Sequence, residues 1–263
     1  MSLAQAFAAA RAEDRAALIC YVPAGFPDEP TSIALIGAMI EAGADVVEVG
    51  LPYSDPLMDG PVIQRAVDLA LGAGTTTDTV LDIVGEVSGR GAQIAVMSYW
   101  NPIERYGVER FAKALAQSGG VAVITPDLTP EEAGPWIDAT DAAGIDRVFL
   151  VAPSSTDARI STVAAASSGF VYAASTMGVT GARTTLSSAA GDLVRRVRPR
   201  TPLPVAVGVG VSTPEQAHEV AGYADGVIVG SALVRAALDA PDAAAAIAAV
   251  STLTAHLAQG VRR

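Results

Sequence analysis

Short apolar runs recur along the chain, each followed by a longer, alanine-rich stretch. In order they fall at residues 18–22, 46–51, 94–98, 121–125, 148–151, 170–173, 205–209 and 227–229. Most are apolar throughout rather than alternating, as expected of strands buried on both faces of a parallel sheet. The stretches between them fit helices. Residues 31–42 place Ile33, Ile36, Ala38 and Ile40 on an apolar stripe, and 109–117 do the same with Phe111, Ala114 and Leu115. Residues 214–221 carry Pro214 in the first turn, with Ser212 and Glu215 at the spacing of a capping box. The alanine-rich start, 1–14, predicts an additional short helix, and 243–249 suits a terminal one.

Eight β–α alternations predict an α/β fold closed into a single (β/α)8 TIM barrel over residues 1–263, with an extra N-terminal helix. An open doubly wound sheet is the competitor. Its glycine-rich first turn is missing, because Val22-Pro23-Ala24-Gly25 does not match G-x-G-x-x-G. Two connections, 51–93 and 175–204, are long enough to hold a helix and an extra loop. Long βα loops are usually functional, and the βα end of a barrel carries its site.

Composition narrows the function classes. With 51% hydrophobic and 17% charged residues, the chain has too much apolar material to be disordered. A single cysteine, Cys20, excludes an internal disulfide and a cysteine-based zinc cluster, and two histidines, His218 and His256, argue against a multi-histidine metal site. The net charge of −11 disfavours nucleic acid and anionic lipid as partners. No apolar run is long enough to span a membrane, and the start lacks the basic region of a signal peptide, so the expected address is the cytoplasm.

Glu48 is the strongest chemical signal. It stands within Val46-Val47-Glu48-Val49, a strand otherwise apolar. A carboxylate there is either a structural group paired with an arginine or an amide, or an acid/base group facing the barrel mouth with its pKa raised by its surroundings. Asp55 and Asp59 lie in the following loop, where Asp-Pro and Asp-Gly are also ordinary turn chemistry. Gly208-Val209-Gly210 ends the seventh strand and Gly230-Ser231 the eighth, where barrels often bind phosphate on helix N-terminal amides. The 177–183 segment, Met177-Gly178-Val179-Thr180-Gly181-Ala182-Arg183, suits a mobile lid or a plain surface loop. Tyr21, Met97, Tyr99 and Tyr172 are core residues or the lining of a flat aromatic pocket. Cys20 reads as a small core residue and His218 as a surface one.

The run from Gly50 to Gln64, Gly-Leu-Pro-Tyr-Ser-Asp-Pro-Leu-Met-Asp-Gly-Pro-Val-Ile-Gln, preceded by Val47-Glu48-Val49, closely resembles the signature of the tryptophan synthase alpha chain. The Gly178-Val179-Thr180-Gly181 lid and both glycine motifs fall where that family has them, and the resemblance spans essentially the whole chain. It implies a barrel enzyme that cleaves indole-3-glycerol phosphate to indole and glyceraldehyde 3-phosphate. It implies Glu48 as general acid/base and Asp59 as the group holding the indole N–H. It places phosphate at Gly181, Gly210, Gly230 and Ser231, with Tyr172 beside the reacting side chain and Tyr21 and Met97 along the indole pocket. It implies no metal and no cofactor in this chain. The partner it implies is a beta chain that carries pyridoxal phosphate, in an alpha2-beta2 heterotetramer, contacted through residues 55–59 and Asn101-Pro102. Met58, Val209 and Pro23 depart from the family's usual small residue, aromatic and threonine. Two other readings remain at this level: a sugar-phosphate isomerase or epimerase, and a non-catalytic activating subunit.

Overall fold

The computed structural model describes residues 2–174 and 188–263. Its strands are β1 (Ala17–Pro23), β2 (Val46–Gly50), β3 (Gln93–Met97), β4 (Ala122–Ile124), β5 (Asp146–Val148), β6 (Leu150–Val151), β7 (Val171–Ala174), β8 (Val205–Gly208) and β9 (Gly226–Val229). All lie in one sheet of order β5-β4-β3-β2-β1-β9-β8-β7-β6, with parallel neighbours throughout. The two edges, β5 and β6, are consecutive pieces of one stretch of chain, so the sheet curls until it meets itself. This is the TIM barrel expected from the alternation, with one correction. The fifth strand, expected unbroken over 148–151, is interrupted at Phe149, which is buried while its carbonyl still accepts from Tyr172 N at 3.3 Å.

Side chains alternate across each strand. Ile19, Val46, Ala95, Ala122, Ile124, Val148, Ala206 and Ile228 fill the barrel interior. Leu18, Val22, Val47, Val49, Val96 and Val207 face the other way, into a layer shared with the helices. Burial on both faces explains why the strands read as continuous apolar runs.

The N-terminal helix α1 (Leu3–Ala12) closes the base of the barrel, putting Leu3, Ala6, Phe7 and Ala10 into the interior cluster and Phe7 against Phe170 at 5.5 Å between ring centroids. Ser2 and Gln5 form its capping box. The outer layer holds α2 (Glu29–Glu41), α3 (Pro61–Gly72), α4 (Thr77–Val87), α5 (Trp100–Tyr106), α6 (Val108–Gln117), α7 (Gly134–Ala143), α8 (Asp157–Ala166), α9 (Ser188–Val197), α10 (Pro214–Ala221), α11 (Ser231–Leu238) and α12 (Ala243–Gly260).

Two local expectations change. The first long connection holds two helices, α3 and α4, rather than one. The cap of α10 is Thr213, whose hydroxyl accepts from Gln216 N at 3.3 Å, rather than Ser212 with Glu215. The Gln216 side chain reaches back to the Ser212 amide at 2.8 Å, so the reciprocal pattern survives one residue out of step.

Candidate active site

Glu48 is the third of five residues in β2 and shares a face with Val46 of the barrel interior. Its neighbours in register are Tyr21 on β1 and Ala95 on β3. Its side chain is 1% exposed, and its Oε1 has no hydrogen-bond partner among the described residues. The structural alternative, a carboxylate satisfied by an arginine or an amide, is therefore not what forms. Burial pushes its pKa up to about 8. An unpaired carboxylate in such a place keeps its proton because the charged form lacks solvation.

Asp59 comes from the loop between β2 and α3. The hydroxyl of Tyr99 donates to its Oδ1 at 3.1 Å and accepts from Met58 N at 3.0 Å, so one side chain just beyond β3 fixes two points of that loop. Tyr99 is itself buried and stacks near Tyr53, 5.6 Å between ring centroids. The carboxyl of Asp59 is raised above its ordinary value by burial, which the Tyr99 bond opposes. The carbonyl of Asp59 accepts from Gln64 Nε2 at 2.8 Å. Met58, a departure from the family pattern, uses its backbone here and leaves its side chain half-buried. Asp55 is exposed and its carboxylate accepts from Ser54 Oγ at 2.6 Å, so the two loop aspartates part company.

Two tyrosines lie against glycines of the inner wall. A Cβ on Gly50 would stand 2.4 Å from Tyr21 Oη, and one on Gly208 would stand 2.5 Å from Tyr172 Oη. Each glycine is thus the space its tyrosine occupies. Burial drives both phenols well above their ordinary pKa, and the charge of Glu48 adds to the effect on each, with Asp59 and Tyr99 also acting on Tyr21. Met97, in register with Gly50, is half-buried and packs against the interior cluster.

Past β8, Gly210 adopts φ +74°. Past β9, α11 begins at once: Gly230 is its N-cap and offers no side-chain cap, and Ser231, its first residue, is buried. The Tyr21 ring covers Gly230, 3.3 Å from where a Cβ would be. Val209, between the two glycines of that turn, is buried. Gly181, Arg183 and the rest of the expected lid lie outside the described residues.

Other sequence candidates take the bland role. Cys20 is fully buried, and burial raises its thiol pKa. His218 is exposed, its Nδ1 2.8 Å from the carbonyl of Arg262. No group of three or more His, Cys, Asp or Glu that can hold a metal forms among the described residues, and no described helix is long and apolar enough to cross a membrane.

Sequence reasoning missed Tyr99 as the holder of Asp59, and Gly50 and Gly208 as seats for tyrosine rings. Each depends on a contact between distant segments that no local spacing encodes.

Comparison with known proteins gives the family. The family described as "Tryptophan synthase alpha chain" matches residues 7–262. The tryptophan synthase alpha chain of Thermobifida fusca is 59% identical, covering 99% of this chain and 97% of its own length. That of Acidothermus cellulolyticus is 56% identical, covering 100% and 97%. A solved structure of Mycobacterium tuberculosis tryptophan synthase superposes with a TM-score of 0.94 at 51% identity, covering 99% of this chain and 98% of that one. The alpha chain from Legionella pneumophila superposes with a TM-score of 0.89 at only 30% identity, covering 99% and 97%. The chain belongs to the tryptophan synthase alpha chain family.

Proposed function

We propose that Glu48 and Asp59 carry the reaction of this family, the cleavage of indole-3-glycerol phosphate to indole and glyceraldehyde 3-phosphate in the last steps of L-tryptophan biosynthesis. The chain is a lyase. The observation that carries the reading is the buried Glu48 carboxyl with an unpartnered oxygen on the inner wall. With a pKa of about 8 it holds a proton at neutral pH. It gives that proton to the indole ring carbon bearing the glycerol side chain. The ring then carries positive charge, and Asp59, ionised, accepts the indole N–H and offsets it. The new Glu48 carboxylate takes the proton of the hydroxyl on the adjoining side-chain carbon. As that O–H breaks, a C=O forms, the carbon–carbon bond breaks and its electron pair returns to the ring. Indole and the aldehyde are released with Glu48 protonated again.

The phosphate sits on the main chain at Gly210, Gly230 and Ser231, where an uncapped helix start favours an anion. Gly181 completes this set in the same reading. Binding energy from this remote group orients the reacting bond. Tyr172 stands beside the side chain, and Tyr21 and Met97 line the indole pocket.

The same reading gives the chain a cytoplasmic beta-chain partner in an alpha2-beta2 heterotetramer, with the pyridoxal phosphate held by the beta chain and no cofactor required here. Two surface features support that contact. Leu57, in the Asp59 loop, is 71% exposed, the most exposed large hydrophobic side chain described. Beside it a groove of about 520 Å³ is lined by Asp55, Asn101, Pro102 and Arg105, among others. Exposed apolar groups beside a groove suit a protein interface.

The test is direct. Incubation with indole-3-glycerol phosphate releases indole, and Glu48→Gln lowers the rate by about 10²-fold or more while the far-UV circular dichroism is unchanged. Full activity in Glu48→Gln removes Glu48 from the chemistry. Turnover of a sugar phosphate in place of the indole substrate would favour the isomerase reading.

A further inference from the structure

The mechanism above leaves Glu48 as a buried carboxylate between its two proton transfers. At rest nothing is bonded to its Oε1, and burial is the only influence on its titration, with no Arg, Lys or His contributing among the described residues. An ion formed in such a place needs a donor nearby.

Among the described residues the groups around it are few. From β3 come Ala95 and Met97, both apolar. From β7 comes Tyr172, whose hydroxyl lies over Gly208. On β1, Cys20 is buried in the cluster on the opposite face of the sheet, and Tyr21 is the residue in register with Glu48. Asp59 and Tyr99 act on Tyr21 from the loop beyond.

Tyr21 has the geometry that the ion requires. Neighbouring strands lie about 4.8 Å apart, and residues two apart on a strand about 6.6 Å apart. Glu48 and Gly50 are such a pair on the inner face of β2. The phenol of Tyr21 leans from β1 across Gly50, with its Oη 2.4 Å from where a Cβ would stand. The hydroxyl therefore lies over β2, one step from Glu48 toward the mouth. Tyr21 is 7% exposed. The buried Oε1 of Glu48, left without a partner, is the atom that calls for a donor.

We infer that Tyr21 is a positioning residue for Glu48, its hydroxyl donating a hydrogen bond to the Glu48 carboxylate once the proton has passed to the indole ring. The phenol keeps its own proton throughout, because burial and the surrounding acids hold it neutral. It lowers the energy of the charged interval and releases the carboxylate when the proton returns. Gly50 exists at this position so that the ring can reach across. This inference rests on the acid/base role of Glu48 proposed above.

The test is the pH profile of kcat/KM for indole-3-glycerol phosphate in wild type and Tyr21→Phe, which keeps the ring and removes only the hydroxyl. Loss of a donor to the charged form raises a carboxyl pKa. The alkaline limb moves up by about one pH unit, kcat falls about tenfold, and KM stays within about twofold. Gly50→Ala, which leaves the hydroxyl and displaces the ring, moves the limb the same way. A limb that stays in place in Tyr21→Phe overturns the inference, whatever happens to kcat. The two readings fail separately: activity in Glu48→Gln sinks the role of Glu48, whereas an inactive Glu48→Gln with an unmoved limb in Tyr21→Phe sinks only the role of Tyr21.

Discussion

The base and the mouth of the barrel treat polar groups in opposite ways. At the base, Arg15 grips Asp45 with two nitrogens at 2.6 and 2.8 Å, and Asp45 also accepts from Leu18 N. Arg263 ties the C-terminus to the carbonyls of Ala221 and Ala224, and Arg147 spans Asp141, Thr140 and Ala166. Ser88, whose buried Oγ has no partner, is the exception. At the mouth, the buried Oε1 of Glu48 has no partner, and Asp59 is held by a single phenol. Paired charge stabilises, and a polar group left unpaired waits for a ligand. The same barrel thus separates folding from chemistry along its axis.

That contrast can be broken at either end. The largest effect belongs to the mouth. Ser231→Asp puts a carboxylate where the phosphate is proposed to bind. Two like charges about 4 Å apart at intermediate dielectric repel by roughly 4 kcal/mol, so KM for indole-3-glycerol phosphate rises at least about 10²-fold in steady-state assays. Unchanged KM places the phosphate elsewhere.

At the base, Asp45→Ala leaves Arg15 and an amide without their acceptor. A loss of about 2–3 kcal/mol in urea unfolding is expected, with kcat unaltered under native conditions. A loss of activity without a loss of stability would mean that the two ends are not separate.

The smallest effect concerns pH and stability. Glu48 titrates in the fold at about 8, above its ordinary 4.5, so the folded state binds the extra proton. Stability from this group is complete below about 4.5 and is lost as pH rises through about 8. Glu48→Gln escapes that loss. Its Tm relative to wild type therefore rises between those two values and levels off above them, as scanning calorimetry across pH would show. A difference that stays flat with pH contradicts the buried protonated state.

Much of the fold was legible because burial on both strand faces writes itself as continuous Val, Ile and Ala. The eight runs followed from that pattern alone, and so did the placing of helices between them, though not the second helix, α4, in the first long connection. Phe149 gave no sign that it would break the fifth strand, since its composition matches its neighbours. Ser212 and Thr213 offered nearly equivalent caps for α10, and Thr213 is the one that caps it. Within the site, Glu48 stood out because a carboxylate is costly in an apolar strand. Asp59 needed the family signature, because an Asp-Gly pair is also turn chemistry. The tyrosine seats on Gly50 and Gly208 were invisible, since each is a contact across strands that no local spacing encodes. Tyr99 lies 40 residues from its partner Asp59. The lid falls outside the described residues, so its glycines keep only their motif.

The central claim is that the mouth keeps Glu48 protonated at neutral pH. Selective ¹³C labelling of glutamate carboxyls, with Glu48→Gln assigning the resonance, measures that titration in the folded chain. The account predicts a midpoint near 8. A midpoint in the ordinary carboxylate range, near 4.5, would contradict it.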